Sequence, residues 1–196
     1  RELKHLKSIQ LEETQFSDIE AIALSEALHK QKHLQLLNIG NNFIKLDGSK
    51  ALSVAFRMLP ELKKLNVSRI ADVCNIIRHL PSSIQLLNCT ECKINNMHIS
   101  NISSSLKTLL HLQEFNLNGN ELNDKEGAEI LASALGNHSS LKVLHLVHNK
   151  INDAGAKMLV ETLPKGVVIH LEHNHLSESF LLSIQQQQQV TAGNKV

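Results

Sequence analysis

The sequence contains no tryptophan and no tyrosine, and five phenylalanines are its whole aromatic content. Aromatic anchors commonly supply the energy of protein interfaces, so a recognition surface here has to work with amides, aliphatic groups and charge. A charge bias is missing too. Twenty Lys and Arg stand against 19 Asp and Glu, a formal net charge of +1, which gives no global attraction toward nucleic acid or an anionic membrane. No run approaches 18 apolar residues, so no membrane insertion is expected. The three cysteines, Cys74, Cys89 and Cys92, leave one unpaired under any disulfide scheme and fit a reducing compartment. The chain opens at Arg1 on a charged, amphipathic stretch without a signal- or transit-peptide pattern. A cytoplasmic location is the expectation.

Catalytic motifs are also lacking: there is no G-x-x-x-x-G-K-[ST] phosphate loop, no H-E-x-x-H and no G-x-S-x-G elbow. Cys92 lies near His98 in sequence, but its place in the pattern described next is that of a buried structural residue. Arg57, Arg69 and Arg78 have no motif around them. No catalytic residue and no cofactor site is expected in this chain.

What is present is a repeat. The run Leu141, Leu144, Leu146, Asn149, Ile151 has the offsets L-x-x-L-x-L-x-x-N-x-L, and they recur at Leu112, Phe115, Leu117, Asn120, Leu122 and at Leu34, Leu37, Ile39, Asn42, Ile44. Weaker copies mark the same register at Thr14, Ile70, Cys92 and Asn174, where the first three replace the asparagine. The markers are spaced by 28, 28, 22, 28, 29 and 25 residues, a periodicity that predicts about seven turns of one solenoid. Alternating apolar residues before each marker predict a short strand with one buried face. The marker Asn is suited to bond main-chain groups left unpaired by the turn.

Between strands, apolar residues three and four apart predict outer helices. They run through Gly127, Ile130, Leu131 and Leu135, through Met158, Leu159 and Leu163 before Pro164, and through Leu52 and Phe56 before Pro60. Ile19, Ile22, Ala23 and Leu28 are expected to form the packed side of the first helix. The 22-residue unit, with Val73, Ile76, Ile77, Leu80 and Pro81, predicts a helix one or two turns shorter near the irregular stretch 62–83. The polar run from Asn95 to Ser105 predicts a distorted helix or a loop. Residues 1–184 form the expected repeat domain, with Phe180, Leu181, Leu182 and Ile184 covering its last repeat. Residues 185–196, which include the Gln185–Gln189 run, are expected to be an unstructured tail.

The 28- to 29-residue unit, and above all the phrase N-K-I-N-D-A-G-A-K-M-L around Asn149, resembles the ribonuclease-inhibitor type of leucine-rich repeat, most like that of NOD-like immune receptors. The resemblance implies an α/β leucine-rich-repeat solenoid, a horseshoe with parallel strands on the concave face and helices on the convex face. It implies a protein ligand, or another domain of the parent protein, as the partner, in ligand sensing or autoinhibition. Any ATP or ADP would then bind an upstream nucleotide-binding module. The same scaffold serves freestanding inhibitors, bacterial effectors and Ran GTPase-activating proteins, which stand as alternatives.

Strand polarity picks out the candidate contact residues. Four positions before each marker come Gln10, Asn38, Asn66, Asn88, Asn116, His145 and His170, and two positions before come residues including Asn118 and Glu172. The inner face is expected to be amide-rich and nearly uncharged in its middle. Neighbouring amides are expected either to bond one another or to read a partner. His145, His148, His170 and His173 fall on adjacent turns, where they could share a metal ion or respond to pH.

Overall fold

The structure, a computed structural model, describes residues 5–185 and 190–191. Each apolar alternation becomes a three-residue strand: β1 Ser8–Gln10, β2 Leu36–Asn38, β3 Lys64–Asn66, β4 Leu86–Asn88, β5 Glu114–Asn116, β6 Val143–His145 and β7 Val168–His170. All pair in parallel, in chain order. The central residues Leu37, Leu65, Leu87, Phe115, Leu144 and Ile169 are buried, while their neighbours on both sides face outward. Between strands run α1 Asp18–Leu28, α2 Leu46–Phe56, α3 Val73–Ile77, α4 Asn96–Leu106, α5 Asp124–Leu135, α6 Asp153–Thr162 and α7 Glu178–Gln185. Strands stack at about 4.8 Å and helices at about 8–10 Å, so the sheet takes the inner side of a curve. The architecture is an α/β horseshoe.

Buried asparagines hold successive turns together. Asn120 Nδ2 donates to the carbonyls of Cys89 at 2.9 Å and Leu117 at 2.9 Å, while its Oδ1 accepts from the Cys92 N–H at 3.1 Å and the Ile94 N–H at 2.9 Å. Asn42, Asn149 and Asn174 make the same kind of bridge to the preceding repeat. At Cys92 the thiol donates to the Val67 carbonyl at 3.2 Å, and burial pushes its pKa up to about 12. Ile70 keeps the apolar volume but makes no side-chain bond.

The turn that points each marker inward needs left-handed backbone one residue earlier. Glu13, Asn41, Arg69, Glu91, His148 and His173 all have φ between 53° and 58°, and Gly119 has φ 65°. Non-glycine residues rarely adopt this conformation, and it recurs before Asn and non-Asn markers alike.

Two sequence expectations need correction. The polar run after Ile94 is an ordinary 11-residue helix, α4. Ile99, Ile102 and Leu106 form its buried stripe, and Asn95 and His98 cap it reciprocally, with His98 N–H on Asn95 Oδ1 at 3.1 Å and Asn95 N–H on His98 Nδ1 at 3.2 Å. In α1 the buried residues are Ala21, Ser25 and Leu28, whereas Ile19 and Ile22 are exposed. Its sequence offers two apolar stripes, and the small Ala21 is the residue that fits beside Gly48 of α2. The short third helix is as expected: α3 has five residues, entered from Asp72 at φ 52°. At the C-terminal end, Gln185 is the last residue of α7, and Val190–Thr191 adds an eighth strand, β8, beside β7. Phe180 and Leu181 are half-buried against the core and Leu182 is exposed. The side chain of Ile184 and the rest of the 185–196 tail lie outside the described residues.

Two polar side chains replace the usual apolar residue where the chain returns from helix to strand. Gln31 Oε1 accepts the Leu6 N–H at 3.1 Å. His138, 1% exposed, bonds the Leu106 carbonyl through Nε2 at 2.9 Å, and its Nδ1 has no partner. That arrangement requires a neutral ring with its proton on Nε2.

Asn149→Leu removes the acceptor of the Leu122 N–H and takes one amide donor from each of the Leu117 and Leu146 carbonyls, which Asn120 and Asn174 still reach. It is expected to destabilise the fold by about 1–3 kcal/mol, the cost of one orphaned buried polar group. Urea denaturation measures this, and a loss below about 1 kcal/mol would contradict the bridging role.

Candidate functional site

The parallel register brings the expected contact residues into one row. Gln10 is the Cα partner of Asn38, Asn38 of Asn66, Asn66 of Asn88, Asn88 of Asn116, Asn116 of His145, and His145 of His170. Ladder bonds continue past the strands, for example from Asn41 N–H to the Ser68 carbonyl at 2.8 Å and from His148 N–H to the Glu172 carbonyl at 3.0 Å. Asn118 and Glu172 are thereby set in a second row.

Within the row the amides do not bond one another. Each amide oxygen instead accepts the main-chain N–H two residues on: Asn38 from Gly40 at 3.3 Å, Asn66 from Ser68 at 3.0 Å, Asn88 from Thr90 at 3.0 Å, and Asn116 from Asn118 at 2.9 Å. This local turn fixes each oxygen toward the backbone and aims each NH2 outward. Asn118 Oδ1 accepts from the Val147 N–H at 2.8 Å.

The two halves of the row then differ. Glu12 gathers the N-terminal amides, its carboxylate accepting from Asn38 at 2.9 Å, Asn41 at 3.0 Å and Asn66 at 3.2 Å. Gly40 makes room, because a Cβ there would stand 2.3 Å from Ser68 Oγ and 2.8 Å from the Asn66 amide. The NH2 groups of the half-buried Asn88 and Asn116 make no hydrogen bond among the described residues.

Rows on either side complete the face, and the sequence reading had passed over them. Strand-start positions add Leu36, Lys64, Leu86, Glu114, Val143 and Val168, which the same two-residue alternation could have picked out. The row of left-handed turns adds Arg69, whose Nε and Nη2 both hold Glu91, at 2.8 and 3.0 Å. Shallow depressions flank the amides. One of about 200 Å³ is lined by Leu36, Lys64 and Leu86, and one of about 280 Å³ by Glu13, Asn41, Ser68 and Arg69. With these rows counted, Glu12, Glu13, Glu91, Glu114 and Glu172 face only Lys64 and Arg69, so the inner side is acidic although the chain is nearly neutral.

At the C-terminal end the histidines stack in parallel pairs, His145 on His170 at 4.8 Å and His148 on His173 at 4.2 Å. Parallel rings place their nitrogens side by side instead of converging on one ion. Among the described residues no group of three or more His, Cys, Asp or Glu side chains is placed to hold a metal. Burial and then the neighbouring His170 hold His145 below the usual histidine range, and Glu114, 3.2 Å from its Nε2, opposes them. The thiols are buried, and desolvation raises Cys74 to about 11 and Cys89 well above the usual value. A raised thiol pKa disfavours the reactive thiolate at neutral pH.

Comparison with known proteins agrees with this geometry. A family described as "Leucine Rich repeat" matches residues 108–131 and 137–160. Protein NLRC5 of Mus musculus is 26% identical over 174 residues, covering 86% of this chain and 9% of that protein. Protein NLRC5 of Homo sapiens is 28% identical over 143 residues, covering 71% and 8%. Two of the units thus match a leucine-rich-repeat model, and most of the chain is similar to a stretch of these NLRC5 proteins. The chain spans about a tenth of the length of these relatives. Internalin C2 from Listeria monocytogenes shares the fold, with a TM-score of 0.56 at 19% identity over 95% of this chain and 80% of that one. No described helix is long and apolar enough to cross a membrane.

Histidine protonation provides a test of the site's electrostatics. A histidine depressed in the folded state lends stability that is full above its unfolded value, about 6.5, and is lost as pH falls below it. His145 and His138, the latter lowered chiefly by burial, both act in this sense. In an NMR titration Glu114→Gln should move the His145 midpoint further down, because the carboxylate is what supports the charged ring. An unchanged or raised midpoint would remove Glu114 from this role.

Proposed function

We propose that this chain is a protein-recognition domain of a cytoplasmic NOD-like immune receptor, and that it engages a protein ligand or another domain of its parent across the inner sheet, in ligand sensing or autoinhibition. The observation that carries the reading is the fixed orientation of Asn88 and Asn116. Their oxygens are tied to the backbone, and their NH2 donors point outward from a rigid sheet at about the 4.8 Å strand spacing. Donors held in place by the scaffold lose little entropy on binding. Around them lie small aliphatic side chains and carboxylates, suited to a polar or basic protein ridge rather than to a large aromatic anchor. The similarity to NLRC5 repeats supports the receptor context. A GTPase-activating reading finds less support, since Arg69, the arginine of the inner side, is already committed to Glu91.

Photo-crosslinking residues placed at Asn116 on the inner face and at Glu129 on the outer helix α5 distinguish the two sides of the domain. Crosslinks to a partner are expected from position 116 and not from position 129. With that partner purified, Asn88→Ala combined with Asn116→Ala should weaken binding about tenfold or more, as expected for two lost hydrogen bonds at about 0.5–1.5 kcal/mol each, without unfolding the domain. Crosslinking only from position 129, or undiminished affinity in the double variant, would move the contact surface elsewhere.

A further inference from the structure

Repeats six and seven carry four histidines in a two-by-two array. His145 and His170 stack on the strands with their planes within 5°, and His148 and His173 stack in the following turns with their planes within 3°. Main-chain bonds hold both rungs at these separations: the Leu146 N–H reaches the His170 carbonyl at 2.9 Å, and the His148 N–H reaches the Glu172 carbonyl at 3.0 Å. Neutral imidazoles tolerate such stacking. Two imidazoliums at 4–5 Å repel, and the ladder bonds fix the backbone spacing between them, although the His148 and His173 side chains are exposed.

The charges facing the array are few. From β5, Glu114 reaches His145. Glu172 places Oε1 3.6 Å from His170 Nδ1, and its Oε2 is buried without a hydrogen-bond partner. Glu91 faces His148 across the turn ridge, but both of its oxygens are bonded to Arg69. From β8, Thr191 stands beside His170 and is uncharged. Among the described residues the inner pair thus has two carboxylates to offset incoming protons, whereas the outer pair, His148 and His173, has the engaged Glu91.

We propose that the four imidazoles form a proton-operated latch on the seam between β6 and β7. Neutral rings let repeat seven stack on repeat six. Protonation charges the outer pair without compensation, and the repulsion releases the segment 166–176 while earlier repeats stay folded. Local release is physically possible because each solenoid repeat is held by its neighbours alone, so one seam can open while other repeats stay folded. His145, His170 and Glu172 also sit on the inner sheet, so opening would remove one end of the surface proposed above. The latch itself is a property of this chain and does not depend on a partner.

Hydrogen exchange of the 196-residue chain at pH 7.5 and pH 5.0, corrected for intrinsic rates, tests the latch. Protection of peptides spanning 166–176, taken relative to peptides from α2, should fall at least tenfold at pH 5.0. In His148→Gln with His173→Gln, the pH 5.0 ratio should stay near its pH 7.5 value. An equal change in both regions, no change, or a selective loss that persists in the double variant overturns the proposal. If the double variant does not fold, His148→Gln alone leaves His173 with no like charge opposite it, and the same outcomes apply.

Discussion

A buried amide with both ends occupied is the contact on which the solenoid rests. Asn120 is tied to its own turn and to the preceding strand through four main-chain groups at about 3 Å, groups that would otherwise be orphaned inside the core. The residue before each marker is left-handed whether the marker is Asn or not, at Glu13, Arg69 and Glu91 as at Asn41, His148 and His173, so the amide ties down a turn that every repeat makes. Register and the outward rows of side chains follow from that repeated turn. The shortest helix, α3, lies between the two consecutive markers that lack the amide, Ile70 and Cys92, although Thr14 lacks it too and is followed by a regular 28-residue unit.

Much of this was legible because the repeat is a statement about burial. The seven strands, the short third helix and the row from Gln10 to His170 all come from offsets that alternate in or out of the core. The reading failed where two signals competed. In α1 the isoleucines carry more hydrophobicity than Ala21 and Ser25, but helix-to-helix spacing beside Gly48 admits only small residues, so size prevailed over polarity. In α4 the serines and asparagines obscured a sufficient stripe of Ile99, Ile102 and Leu106, and the Asn95 and His98 cap does not follow the familiar Ser or Thr with Glu pattern.

The site was less legible than the fold for a different reason. Position in a row can be counted from the sequence, but hydrogen-bond allegiance cannot. Asn66 and Asn88 occupy equivalent places, yet one amide donates to Glu12, 54 residues earlier, and the NH2 of the other makes no hydrogen bond among the described residues. That difference depends on the length of one glutamate and on the absence of a Cβ at Gly40. A count of asparagines therefore overstates how many of them are available to a partner.

The distribution of charge supports the same division. The whole chain is balanced, but its inner rows collect carboxylates, and the N-terminal ones are occupied with internal amides or with Arg69. Toward the C-terminal end, Glu114 and Glu172 are accompanied instead by histidines, whose charge depends on pH. Asn88 and Asn116 lie next to that end, so the outward donors and the titratable groups form one continuous surface from β4 to β7. A partner spanning it would meet fixed hydrogen-bond donors at one side and an adjustable electrostatic environment at the other. In the N-terminal half the corresponding amides of Asn38, Asn41 and Asn66 are drawn onto Glu12 instead.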